Sequence, residues 1–473
     1  MLKKKLIPLT LASLFVIPAA QASVDLIAFG SISGNYRDMS TETAGLLENG
    51  VPGNLLGGIG SGIAYAGGNT FIAVPDRGPN AVSYNSAIDD TASYINRMQT
   101  LRLTLSPNPA GSALPFTLSP FLTDTTLLSS AAKVPLVYGS GSGLGVGSGE
   151  PALNAVNGVS YFTGRSDGFD PTKISTYFRD ARLDPESIRV ANDGKTVFIS
   201  DEYGPYVYRF NRFTGRFMHA YTLPAKFAVT NLSPVSATEI SGNTVGRVAN
   251  KGMEGLAISP DGSTLFGILQ SALIQDGGTN GAITRIIKID VATGATNEYA
   301  YQFDNIGTVS KPKYPTASDL VAINDHEFLV DERDGKGLGD NSTAVEKKLY
   351  HIDLSGAQDV SNLTGSQLVG TAVTKTLFLD LVAALNAQGF SSNDIPAKIE
   401  GLAFGPDVVQ NGVTRHTLFV ANDNDFIATV TDTNHPTGID NPNKFFVFGI
   451  DAADLPTYQA QQITDVPQPL ACH

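Results

Sequence analysis

A β-propeller, an all-β ring of repeated small sheets, is the fold class this chain predicts. Three stretches of shared outline carry that expectation: Glu186-Ser-Ile-Arg-Val-Ala-Asn-Asp-Gly-Lys-Thr-Val-Phe-Ile-Ser-Asp201, Glu254-Gly-Leu-Ala-Ile-Ser-Pro-Asp-Gly-Ser-Thr-Leu-Phe-Gly-Ile-Leu-Gln270, and Glu400-Gly-Leu-Ala-Phe-Gly-Pro-Asp407 running on to Thr417-Leu-Phe-Val-Ala-Asn-Asp423. A recurring unit of this size is the signature of a repeat architecture. The composition agrees: 48 Gly, 26 Pro, no Trp and 16% charged residues suit many short strands and tight turns.

Taken in chain order, residues 1–22 read as a cleavable leader. Lys3, Lys4 and Lys5 precede a short apolar run, and Ala20-Gln-Ala22 fits small-x-small cleavage after Ala22. The run is too short to span a bilayer, and no later stretch is long enough. The expectation is a periplasmic or secreted protein without membrane insertion, with one propeller domain over residues 23–455 and a polar tail over 456–473. Each repeat is an apolar run, a turn and a second apolar run. Asp193-Gly194 and Asp261-Gly262 are strong hairpin turns. Weaker copies turn at Gly67-Gly68 and Asn324-Asp325. Copies beginning at Glu186, Glu254, Asp319 and Glu400 recur every ~65–80 residues, and Gly62 lies about two such intervals before Glu186. That leaves room for a degenerate copy near residues 95–165, so six blades are expected, with five or seven left open. Val24-Asp-Leu-Ile-Ala-Phe29 and Phe445-Phe-Val-Phe-Gly-Ile450 are expected to share a blade and close the ring. Tyr138–Gly149 reads as a Gly/Ser-rich loop without phosphate-loop spacing. Thr374–Gln388 reads as an insertion helix.

The net charge of −13 deepens once the three leader lysines go. Such a surface repels nucleic acid and anionic lipid. The single Cys472 cannot staple a fold or build a thiol–zinc site.

Two antiparallel strands joined at Asp193-Gly194 bring Glu186 and Asp201 to the same open end, roughly 20 Å from the turn at about 3.3 Å per residue. The other copies place Glu254 with Gln270, Glu400 with Asp423 or Asp425, and Asp319 with Asp331 and Glu332. One copy ends in Asp76-Arg77. If these hairpins are innermost, the acids Asp76, Glu186, Asp201, Glu202, Glu254, Asp331, Glu332, Glu400, Asp423 and Asp425 ring one channel mouth, with Arg77, Lys251 and Arg333 as cations. Crowded carboxylates need positive charge between them. Oxygen ligands with little His point to a divalent ion, most readily Ca²⁺, with candidate ligands Glu186, Glu254, Glu400, Asp201, Asp331, Asp423 and Asp425. The bland alternative is solvated strand ends, or acids that hydrogen-bond a neighbouring blade.

Several segments together resemble the phytase-like family named for "esterase-like activity of phytase": the Glu-(Gly/Ser)-(Ile/Leu) starts with their Asp-Gly turns, Asp201-Glu-Tyr-Gly-Pro-Tyr206, Val74-Pro-Asp-Arg-Gly-Pro-Asn80, Leu329-Val-Asp-Glu-Arg-Asp-Gly335, and Lys398-Ile-Glu-Gly-Leu402 with Asn422-Asp-Asn-Asp-Phe426. The likeness covers roughly residues 55–450. It implies a β-propeller and a phosphoesterase-type hydrolase in which Glu186, Glu254, Glu400, Asp201 and Glu202 are the catalytic candidates. Ser187 departs from the family's usual Gly. If hydrolysis occurs, Ca²⁺ cancels the funnel's charge and binds phosphate oxygens, and Arg77 or Arg333 stabilises the developing charge. Both arginines could equally serve as salt bridges to adjacent acids. The substrate expected is a small ester or phosphoester. The rival readings are a sugar-lactonase-like propeller and a calcium-stabilised binding propeller without turnover. Gly164-Arg-Ser166-Asp-Gly168 fits a nucleophile-elbow pattern, but Phe169-Asp-Pro171 reads as a loop where a helix should open.

Overall fold

The computed structural model describes residues 24–47, 49–80, 92–131, 155–156, 159–164, 182–204, 206–233 and 236–464. The leader, Ser166 and Cys472 lie outside these residues.

Five four-stranded antiparallel blades surround a central axis. Blade 1 is Gly62–Tyr65, Thr70–Val74, Arg97–Pro107 and Phe116–Leu127. Blade 2 is Pro185–Val190, Thr196–Asp201, Tyr206–Asn211 and Phe217–Thr222. Blade 3 is Met253–Ile258, Thr264–Leu269, Ile283–Asp290 and Thr296–Gln302. Blade 4 is Thr316–Ala322, Glu327–Arg333, Lys347–Asp353 and Lys375–Asp380. Blade 5 is Lys398–Phe404, Val413–Asp423, Asn443–Asp451 and, outermost, Val24–Ile32, with the short strand Val408–Gln410 added to its hairpin. The turns form as the sequence requires. Gly194 and Gly262 adopt φ of 65° and 75°, a region an L side chain rarely enters.

Among the described residues the blades number five, and the expected sixth is not found. The inner strands of blades 1 and 2 pack directly on each other, as do those of blades 5 and 1. Five apolar cores fill the five interfaces; Ala64, Ile72 and Met98 of blade 1, for example, meet Ile188, Val197 and Tyr208 of blade 2. The described part of the extra chain between Gly62 and Glu186 goes into the long outer strands of blade 1 and a three-stranded sheet of Ser129–Ala131, Val159–Tyr161 and Ala155–Val156. The terminal strands do share a blade, pairing from Val24 opposite Ile450 to Ile32 opposite Asn443. The expectation that strand pairing closes the ring is corrected, however. That ladder is internal to blade 5, and among the described residues no ladder joins one blade to the next; inner-strand packing completes the circle.

Two further readings change. Lys375–Asp380, assigned to a helix, is the outer strand of blade 4. The helix is only Leu381–Ala387, capped by Asp380 accepting from the Ala383 amide at 2.9 Å. Residues 456–464, expected to begin a polar tail, lie with Leu455 across the turn end of the ring. There Leu455 is buried, Tyr458 packs on Phe404 at 4.5 Å, and the Gln459 and Thr464 amides donate to Ile323 and Asn192 carbonyls.

At the axis the repeat resolves into layers. The residues before the buried Ile63, Ile188, Leu256, Leu320 and Leu402 are Gly62, Ser187, Gly255, Asp319 and Gly401. A Cβ on Gly62 would come 2.7 Å from the Ser187 Cα, and one on Gly255 2.7 Å from the Asp319 Cα. This layer is therefore nearly bare backbone, apart from Ser187 and Asp319. Asp319 is thus one position out of register with Glu254 and Glu400; Ser318 is their counterpart.

Candidate functional site

The acids converge because the inner strands bulge at the right residue. Pairing registers slip around Glu254 (between Met253 and Gly255), around Glu400 (between Ile399 and Gly401), and opposite Glu186 (between Ile199 and Asp201). A bulge adds one unpaired residue and re-aims its side chain. At the end of the ring opposite the turns, the floor of a cup is therefore Glu186, Glu254 and Glu400, with Ser61 and Ser318 at the corresponding places of blades 1 and 4.

Two carboxylate trios stand on this floor. Asp184, Glu186 and Glu202, all buried, bring one oxygen each within 4.8 Å of one another; Asp76, Asp423 and the half-buried Asp425 do the same. In the first trio, Arg77 reaches over from blade 1. Its amide donates to Asp184 at 2.9 Å, its guanidinium donates to the same carboxylate at 3.1 Å, and Glu202 is 4.0 Å away. The second trio has an internal cation, with Lys398 Nζ 2.8 Å from Asp423 and 2.5 Å from Asp425. Between the trios, Arg333 pairs with Glu400, lies 4.0 Å from Glu254, and donates to Ser318 Oγ at 2.8 Å. Gln270 donates to Glu254 at 2.8 Å and accepts from Lys251 at 2.9 Å.

The charge is under-compensated. Burial, then Glu254 and Asp184, push Glu186 and Glu202 well above the carboxylate range. Burial and Glu400 lift Glu254 to about 8, and burial lifts Asp423 to about 7. Asp425 goes the other way: burial opposes its ionisation, but Lys398 more than offsets that and holds its carboxyl low. Buried oxygens are left over. Glu202 Oε1, Glu254 Oε2 and Glu400 Oε2 have no hydrogen-bond partner among the described residues, although such groups are normally satisfied. Oxygen-only donors, several of them orphaned and all crowded, fit a hard divalent cation.

The other predicted residues have different surroundings. Asp201 spends its carboxylate on the amides of Asp184, Tyr203 and Gly204, each at 3.1 Å, organising the turn that presents Glu202. Asp331 is fully buried, with no hydrogen-bond partner for either oxygen among the described residues, and lies near Arg333, Lys347, Asp319 and Glu400. Glu332 faces the interface between blades 3 and 4, bonded to Tyr301 and Lys375. Asp184 is the residue that sequence reasoning missed. The equivalent places before Glu254 and Glu400 hold Gly252 and Lys398, so no repeat marks it. Beside the cup, a cavity of about 950 Å³ is lined by Lys251, Lys311, Lys313, Arg333, Lys336 and Lys348. Acids also line it, but cations outnumber them in a chain of net charge −13.

A family model described as "Esterase-like activity of phytase" matches residues 54–426, a span that contains every residue of the cup. The chain belongs to the phytase-like family. An "uncharacterized secreted protein" of Arthroderma benhamiae is 32% identical over 376 residues, covering 70% of this phytase-like chain and 66% of the relative. The chain thus spans just under two thirds of that relative's length. The Pseudomonas aeruginosa periplasmic gluconolactonase is 12% identical over 90% of this chain and 100% of its own, with a TM-score of 0.31. Hydrazine synthase of Kuenenia stuttgartiensis is 9% identical over 84% and 87%, with a TM-score of 0.29. No helix among the described residues is long and apolar enough to cross a membrane.

Proposed function

We propose that this phytase-like propeller is an exported, divalent-metal-dependent phosphoester hydrolase whose active site is the acidic cup. The observation that carries the reading is the convergence of buried carboxylates from separate blades, with Glu202 Oε1, Glu254 Oε2 and Glu400 Oε2 left unpartnered. Asp184, Glu186 and Glu202 would hold the cation, with the unpartnered oxygens of Glu254 and Glu400 as further donors, and Ca²⁺ suits oxygen donors best. A bound ion would supply Lewis-acid polarisation of a phosphoryl oxygen. The chain's own residues do the rest. Arg77 and Arg333 offset charge that builds on the phosphoryl group. The cationic cavity beside the cup supports an anionic substrate over a neutral lactone. Export is supported by the leader-like residues 1–22.

The test is calorimetric titration of Ca²⁺ into the wild type and the Glu254→Gln/Glu400→Gln variant, with a panel of phosphomonoesters, phosphodiesters and lactones. The expected outcome is at least a tenfold loss of Ca²⁺ affinity with the fold retained, and chelator-sensitive phosphate release. Unchanged affinity removes the site; acid released from lactones alone replaces the substrate class; Ca²⁺ binding without any turnover makes the protein a binding module.

A further inference from the structure

The axis of a propeller is a hole that side chains must fill, and here one ion pair fills it. The innermost strand of every blade is a sheet edge, so its axis-facing polar groups need partners from across the ring. In the two layers below the cup floor, blades 1, 3 and 5 supply only Gly62/Ala64, Gly255/Ala257 and Gly401/Ala403. Blade 2 supplies Ser187/Arg189, and blade 4 supplies Asp319/Val321.

The Asp319 carboxylate accepts from Arg189 at 2.8 and 2.9 Å and from Ser187 Oγ at 2.9 Å. It also accepts from the Leu256 amide at 3.2 Å and the Leu402 amide at 2.9 Å. Arg189 in turn donates to the carbonyls of Ile63 at 2.9 Å and Leu320 at 2.8 Å. One pair of side chains thus bonds to all five inner strands, and it blocks the channel beneath the cup. The attachment points are specific. Ser187 directly follows Glu186, and Leu256 and Leu402 stand two residues after Glu254 and Glu400, with a glycine between.

We infer that Asp319, held by Arg189, is the positioning residue that fixes Glu186, Glu254 and Glu400 around a common centre. This rests on the cation-site reading of the cup. It also accounts for Ser187 standing where the other strong copies have glycine, since glycine could not bond Asp319. A plain filler would not need these bonds: buried ion pairs are often replaceable by apolar residues of similar volume without loss of stability. Placement of the glutamates is what such a replacement would lose.

The experiment compares wild type, the charge-free pair Arg189→Met/Asp319→Leu, and the milder Ser187→Ala. Each is checked for fold by circular dichroism, titrated calorimetrically with Ca²⁺, and followed by hydrogen exchange over residues 185–190, 253–258 and 398–404. The expected result is a folded pair variant with faster exchange in the last two segments and at least tenfold weaker Ca²⁺ binding, and a smaller loss of affinity in Ser187→Ala. Wild-type Ca²⁺ affinity in a folded pair variant overturns the inference, as does wild-type affinity in Ser187→Ala should the pair fail to fold. If the wild type itself binds no Ca²⁺, the cation-site reading falls, and exchange alone then decides: unchanged rates in the folded variants overturn the positioning role.

Discussion

Glu254 ties pH to stability through a single side chain. Burial, then the neighbouring Glu400, lift its carboxyl from an ordinary 4.5 to about 8. An acid raised in the folded state contributes stability that is whole below its unfolded pKa and is lost as pH climbs through the folded one. Asp423 and Asp201, lifted by burial from 3.8 to about 7, act in the same direction. The chelated protein should therefore melt at progressively lower temperature from about pH 5 to about pH 8, and Glu254→Gln should flatten the upper part of that slope. Ca²⁺ favours the ionised forms, so it should raise the melting temperature more at the higher pH. A level or rising profile for the chelated protein would contradict this account. The same side chain shows what a repeat makes legible. Glu186, Glu254 and Glu400 recur at one place in their units, and the structure brings them to one floor. Asp184 has no counterpart in the other blades, and only the three-dimensional path of the chain before blade 2 puts it beside Glu202.

Within the elements, the inner strands specify their own spacing. Gly255 is open on one side only: a Cβ there would sit 2.7 Å from the Asp319 Cα and 2.8 Å from the Ile268 side chain. The first obstacle is backbone and cannot rotate away. Gly255→Ala is expected to cost about 1–3 kcal/mol by overpacking, read as a lowered urea midpoint with unchanged slope. Gly335→Ala, with nothing near its added Cβ, is the control and should lie within about 0.5 kcal/mol of wild type. An equal effect at both positions would refute the close approach. Hairpins were readable because Asp-Gly turns and alternation act over a few residues. Register was not. Asp319 stands where the other inner strands carry Gly255 and Gly401, and matching acid to acid aligned it with the glutamates one residue out of register. The blade count failed for a related reason. The length between Gly62 and Glu186 matched two units, but its described residues build one blade with outer strands of 11 and 12 residues and a small added sheet.

At the scale of the molecule, the ring depends on contacts that composition cannot report. Residues 456–464 look like polar tail, yet with Leu455 they touch four blades at the turn end. The Gln459 amide donates to Ile323 of the blade 4 turn at 2.8 Å. Gln461 Nε2 donates to Val190 O at 2.7 Å and to Asn192 Oδ1 at 2.6 Å in blade 2. Asn192 itself donates to Pro260 O of blade 3 at 2.8 Å. Leu455 adds apolar burial, and Tyr458 packs against both Phe404 and His416. Burying one leucine contributes about 2 kcal/mol and each hydrogen bond about 1 kcal/mol, offset by the entropy of ordering the segment. A chain ending at Asp454 should thus lose about 2–4 kcal/mol in denaturant unfolding while keeping its β-sheet signal and, because the cup lies at the other end, its Ca²⁺ affinity. Loss of metal binding in that folded chain would show that the two ends of the ring are coupled through the axis. An unchanged unfolding midpoint would show that the segment lies on the ring without bracing it.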